Sequence, residues 1–195
     1  MKKLSYLTML AFAAFALQSC HLGGSTTTTT NDSTATTTDT TKKMAADTAK
    51  ADSGSDVTFA KTLAAGGTAE ITFSKLALQK VKSGKLKDFA DMMITDHTKA
   101  ADTLMAIAAK ENITLPTTMD ADHQSKYNAT QDMSGNDFIK NYVNLMVADH
   151  KGAVDLITNE SQNGKNPALK AFAAKILPTI QMHLDAANKL AAGMK

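Results

Sequence analysis

The chain of 195 residues carries a single cysteine, Cys20, three prolines, no tryptophan and no arginine. One thiol cannot close an intrachain disulfide, so any folded part is held by its own core or by a bound ligand. Nucleic-acid binding calls for a basic face, usually with arginine or stacking aromatics, and this chain has no arginine, no tryptophan and no excess of positive charge beyond Lys2 and Lys3. Its formal charge of +2 comes from Lys2 and Lys3; without them 19 lysines stand against 19 acids. No serine elbow, phosphate-binding glycine loop, zincin helix or Cys-x-x-Cys-His haem-attachment motif occurs, so no reaction is indicated.

The longest apolar run, Leu4 to Leu17, is too short and too alanine-rich for a stable membrane span. Preceded by Lys2 and Lys3, it reads as an export signal over residues 1–19. It ends in Leu17-Gln18-Ser19-Cys20, which resembles the lipobox cut by lipoprotein signal peptidase. Cys20 is then the acylated mature N-terminus, and the partner it implies is a membrane reached through lipid. The expectation is an exported protein anchored in the cell envelope, on the outer membrane facing the periplasm.

Residues 25–41 include 13 Ser or Thr out of 17, with nothing apolar larger than alanine. Such a segment cannot bury enough surface to offset its ordering entropy, so residues 20–55 are expected to form a disordered tether. Residues 56–195 remain as one domain.

That domain reads at helical period throughout. Helix one is expected from about Asp56 to Val81, with Phe59, Leu63, Gly66, Glu70, Phe73 and Ala77 on one stripe. Helix two runs from about Leu86 to Glu111, with Phe89, Met93, His97, Ala100 and Leu104 aligned. A short helix around Asp122–Thr130 interrupts the next connection, and the spacing of His123 and Tyr127 suits packing over the bundle end. Helix three places Tyr142, Met146, His150 and Ile157 on its stripe, and helix four places Phe172, Ile180, His183 and Ala187 there. Pro167 suits the first turn of helix four, and Pro178 inside it predicts a kink. Four amphipathic helices of similar length bury their stripes most simply as an antiparallel bundle. Gly66-Gly67 would let a neighbouring backbone approach. Met93-Ile94-Thr95-Asp96-His97 and Met146-Val147-Ala148-Asp149-His150 form a weak internal repeat, which predicts pseudo-equivalent positions for the two histidines.

Each main helix thus carries one ligand-type residue near its midpoint: Glu70, His97, His150 and His183. In a bundle these midpoints meet at one depth. A carboxyl buried alone is costly, so Glu70 needs a cationic, hydrogen-bonding or metal partner. Three imidazoles and a carboxylate suit Cu, Zn, Fe or Mn. Asp96 and Asp149 lie about 100° round the helix from their histidines, where they would orient a ring on an adjacent helix. Met93 and Met146 share the histidine face one turn away, and Met182 adjoins His183; thioether with imidazole suits Cu(I) or Ag(I), while methionine also serves as core filler. The competing reading is a metal-free hydrogen-bonded Glu–His network that sets helix register. A ferritin-type di-iron centre needs Glu-x-x-His, which is absent. Haem could bind only without covalent attachment.

Four ordered stretches carry a family resemblance: Leu63 to Ile71, Met93-x-x-Asp96-His97-x-x-Ala100, Met146-x-x-Asp149-His150, and Leu177-Pro178-x-x-x-x-His183-Leu184, joined by Leu169 to Ala173. In these the chain resembles the bacterial family called domain of unknown function 4142. The resemblance implies a ferritin-like four-helix fold in an exported or envelope-associated protein and brings no established activity. A more distant likeness is to the domain of unknown function 305 family, some of whose members bind copper.

Overall fold

The computed structural model describes the backbone of residues 40–194 and the side chains of residues 54–194. The signal segment and Cys20 lie outside the described residues. Five helices and no strand are present among them: α1 (Thr40–Lys80), α2 (Lys85–Lys110), α3 (Ala121–Thr130), α4 (Gly135–Asn163) and α5 (Pro167–Ala192). The start of α1 corrects the expected boundary at Asp56, because helix extends back to Thr40. The stretch Lys42–Asp52 is rich in alanine and lysine. Its composition argued against packing, but these residues are strong helix formers, and a continuous helix needs no core of its own.

The helices end where their sequences prescribe. Gly84 takes φ +87°, a left-handed conformation that glycine adopts without strain, and so turns α1 into α2. Asp120 accepts the backbone N–H of His123 at 2.9 Å to open α3. Asn166 accepts from Ala168 and Leu169 at the start of α5, where Pro167 gives up no needed donor. Pro178 lies inside α5, which continues through it to Ala192.

The four long helices form the expected antiparallel bundle. α1 packs on α2 and α4, and α5 packs on the same two neighbours. At one end, Asp56 meets the α4–α5 turn, and Asn166 Nδ2 donates to Glu111 Oε2 at 2.6 Å. At the other end, Lys80 Nζ donates to the carbonyl of Met133 at 2.7 Å. α2 and α4 therefore run in the same direction, and residues 111–134 must travel back along the bundle between them. α3 belongs to this return segment. It lies on α1 and α4, with Tyr127 edge-on to Phe73 at 5.5 Å between ring centroids.

Burial divides the core into two apolar clusters. One gathers Phe73, Phe89, Met93, Phe138, Tyr142 and Met146; the other gathers Phe59, Leu104, Ile157, Leu169, Phe172 and Ile180. Each such large side chain contributes about 1.5–3 kcal/mol by leaving water. Along every long helix the ligand-type residue falls at or beside the boundary between the two clusters. No helix among the described residues is long and apolar enough to cross a membrane.

Candidate metal centre

The boundary layer holds Glu70 from α1, His97 from α2, His150 from α4 and His183 from α5, all buried. The three imidazole rings form a nearly equilateral triangle, with centroids 5.6 Å (His97–His150), 5.2 Å (His97–His183) and 5.5 Å (His150–His183) apart. Each ring can offer one nitrogen such that the three lie within 4.8 Å of one another. Three nitrogens spaced evenly round one ion at about 2.1 Å lie at most about 3.6 Å apart, so each ring nitrogen would move inward by up to about 0.7 Å.

Each ring also has a polar contact of its own. Glu70 Oε2 is 3.1 Å from His97 Nδ1, and Oε1 is 3.2 Å from His150 Nδ1. His150 Nδ1 also lies 2.9 Å from the carbonyl of Met146, one turn earlier in α4. His183 Nε2 donates to Asp96 Oδ2 at 2.9 Å. These contacts leave His97 Nε2, His150 Nε2 and His183 Nδ1 buried with no hydrogen-bond partner. A buried polar atom left unpaired costs about 1–3 kcal/mol, and here three such atoms belong to one layer.

Burial also sets the charge state. It pushes the Glu70 carboxyl up to about 8, with the charge of Asp149 adding and that of His123 opposing. Burial lowers His97 well below its ordinary value, reinforced by the other two rings. It takes His150 down to about 4, with His183 adding to the effect, and it lowers His183 despite the opposing pull of Asp96. At neutral pH the rings are neutral, so the close approaches of Glu70 to His97 and His150 are contacts between uncharged groups rather than ion pairs. Neutral imidazole is the form that ligates metals.

The sequence places Glu70 among the ligands; in the structure its two oxygens lie 3.1 and 3.2 Å from the Nδ1 atoms of His97 and His150, so it stands beside two of the rings. Asp96 does orient a ring on an adjacent helix, that of His183. Asp149 instead lies 3.5 Å from Nε2 of His123 on α3, whose Nδ1 is 2.7 Å from Asp120. Held between two carboxylates, with nearby Asp149 the larger influence and Asp120 the second, His123 is raised to about 9 and is charged. Sequence reasoning missed this pair because Asp149 and His123 belong to helices whose relative placement no periodicity encodes. Met93 and Met146 sit in the apolar cluster, and what Met146 offers His150 is its backbone carbonyl. Met182 is exposed.

Gly66 and Gly67 do not serve a close backbone approach. A Cβ on Gly66 would meet nothing within 4 Å, and one on Gly67 would meet only His97 Nδ1, at 3.9 Å. Gly67 instead lines a cavity of about 390 Å³ walled by Leu63, Leu104, Phe172 and Ile176, with Glu70 and His97 among its polar groups. A second, smaller cleft of about 160 Å³ runs between α2 and α5 and reaches Asp96, His97 and His183. Two hollows thus abut the ring layer.

Among solved structures, the fold resembles that of a domain of unknown function 305 fragment from Deinococcus radiodurans (TM-score 0.63, 11% identity), covering 71% of this chain and 95% of that one. It also resembles CopM in its Cu(II)-bound form (TM-score 0.61, 16% identity, 72% and 97% covered). The Cu(I)-bound form of CopM is similar too (TM-score 0.59, 18% identity, 71% and 96% covered). At these identities the likeness concerns the fold. No curated protein matches the chain. The family described as "Domain of unknown function (DUF4142)" matches residues 39–190, so this chain, with its buried triangle of histidines, belongs to that family.

Proposed function

We propose that His97, His150 and His183 together bind one transition-metal ion, copper foremost, and that the protein sequesters it in the cell envelope. The observation that carries this reading is the set of three unpartnered, buried ring nitrogens in one layer. Imidazole donors suit copper, zinc and iron alike. The bundle shared with a protein solved in two copper-bound forms supports copper among them.

The chain's own residues prepare such a site. Asp96 takes the Nε2 proton of His183 and leaves its Nδ1 lone pair free. The Met146 carbonyl takes the Nδ1 proton of His150 and leaves Nε2 free. Ionised Glu70, 3.1 Å from His97 Nδ1, would favour the proton on that nitrogen and so the same tautomer in His97. A bound cation would supply positive charge that favours this ionised form.

Thermal melting and calorimetric titration of the purified chain with Cu, Zn, Fe and Mn salts test the reading. Binding predicts a marked rise in melting temperature that vanishes in His97→Ala and His150→Ala. No shift with any of the four metals would favour the competing structural reading, a metal-free network that sets helix register. That alternative draws on the hydrogen bonds of His183 to Asp96 and of His150 to the Met146 carbonyl, and on the close approach of Glu70 to His97 and His150.

The cellular setting is part of the proposal. The lipobox-like Leu17 to Cys20 supports export and acylation at Cys20, with a membrane as the partner and the bundle held on the periplasmic side of the outer membrane. Mass spectrometry of the mature N-terminus tests this, since an unacylated start elsewhere would remove the anchor.

A further inference from the structure

We propose that the end of the bundle where α1 meets the α4–α5 turn binds a hard divalent cation, Ca²⁺ or Mg²⁺, through the carboxyl groups of Asp56 and Glu160. Both side chains are almost fully enclosed, at 3% and 4% exposure. Asp56 accepts the backbone N–H of Lys165 at 3.2 Å on each oxygen and that of Asn166 at 2.6 Å, which fastens it to the turn. Glu160 has no comparable support. Its Oε1 is buried without a hydrogen-bond partner, although it belongs to a carboxyl group.

The surroundings sharpen the deficit of positive charge. Glu160 stands in the last turn of α4, where carbonyl groups without helical partners form the negative end of the helix dipole. Burial and the nearby charge of Asp56 both raise its pKa, to about 6. Lys170 offsets this in part, yet its Nζ is already donating to the Gln162 carbonyl at 2.9 Å. Gly164 keeps the carboxyl folded against the turn: a Cβ there would stand 2.5 Å from Glu160 Oε1 and 2.6 Å from its carbonyl oxygen.

Asp56 and Glu160 line a hollow of about 370 Å³ together with the amide side chains of Asn159 and Asn163. No lysine, histidine or sulfur-bearing residue lines it. Oxygen-only donors of this kind suit calcium or magnesium and are poorly matched to copper. The site is separate from the ring layer. Asp56 precedes Glu70 by fourteen residues of helix, or about 21 Å along α1. A cation bound here would join α1 to the α4–α5 turn and close that end of the bundle.

The test is thermal unfolding of the chelator-stripped full chain in CaCl₂ or MgCl₂ up to about 10 mM, the range that spans weak extracellular sites. NaCl at matched ionic strength is the control. A saturable rise in melting temperature is expected with either divalent ion. Glu160→Gln, which keeps the shape and the folded bundle, is expected to weaken the apparent affinity at least 10-fold and to leave the response to copper unchanged. A wild-type response no larger than that in NaCl overturns the proposal. So does an undiminished response in Glu160→Gln.

Discussion

Asp96 on α2 accepts the Nε2 proton of His183 on α5 at 2.9 Å, across the cleft by which the ring layer reaches the surface. One carboxylate therefore fixes both the tautomer and the direction of a ring on the neighbouring helix.

Loss of that hydrogen bond should cost metal affinity before it costs the fold. Asp96→Ala is expected to weaken binding about 10- to 100-fold, the usual effect of removing an acceptor behind a ligating histidine. Asp96→Asn, which retains an acceptor oxygen, should recover part of it. Calorimetric titration of the two variants provides the check, and equal affinity in Asp96→Ala and wild type would contradict the assignment.

Binding and stability should oppose each other at His150. Its ring is fully buried with one nitrogen unpaired, so the ion-free protein bears a cost for keeping it. His150→Leu fills a similar volume without that cost. The ion-free variant is expected to be as stable as wild type within about 1–2 kcal/mol, or more stable. Its metal-dependent rise in melting temperature should be gone. Urea unfolding with and without metal separates the two effects.

The ring layer also predicts how the ion-free protein responds to pH. The histidine pKa values are depressed on folding, so their contribution is complete above the unfolded value of about 6.5 and is lost as pH falls. For His150, lowered to about 4, the loss amounts to about 3 kcal/mol. Glu70 has the opposite sign: raised from 4.5 to about 8, its contribution is complete below 4.5 and is lost as pH rises through 8. Three rings outweigh one carboxyl below pH 6.5; above it the carboxyl acts together with His123, raised to about 9, whose contribution is also lost as pH rises. Stability should therefore peak at about pH 6–7, with the steeper fall on the acid side. Glu70→Gln should flatten the alkaline limb; an unchanged limb in chemical denaturation across that range would refute this account.

Two glycines should respond to alanine in opposite directions. Gly66 is mid-helix with open space around its Cα, so Gly66→Ala is expected to stabilise by about 0.5–1 kcal/mol through helix propensity. At Gly164 the new methyl would press on the backbone carbonyl of Glu160 as well as its side chain, and Gly164→Ala should destabilise. Melting temperatures of the two variants decide it.

The number, period and midpoints of the helices were readable from the chain because a helical stripe repeats locally. Glu70, His97, His150 and His183 were found in this way, before any packing was known. The start of α1 was not, because helix propensity in Lys42–Asp52 and the absence of a core there point in different directions. Local pattern marks Asp56 only as a helix boundary, although it fastens a turn 109 residues away. Such a contact leaves no mark on local period.

By itself the sequence determined that four helices with apolar stripes would pair antiparallel and bring four ligand-type residues to one depth. Burial is one-sided and periodic, so it is written along each helix. Which nitrogen of each ring is held and which is free, and that Glu70 faces two rings while Asp149 faces His123, only the tertiary structure decided. Those outcomes depend on the rotation of one helix against another to within an ångström, a quantity set jointly by all the packed side chains and by no single segment.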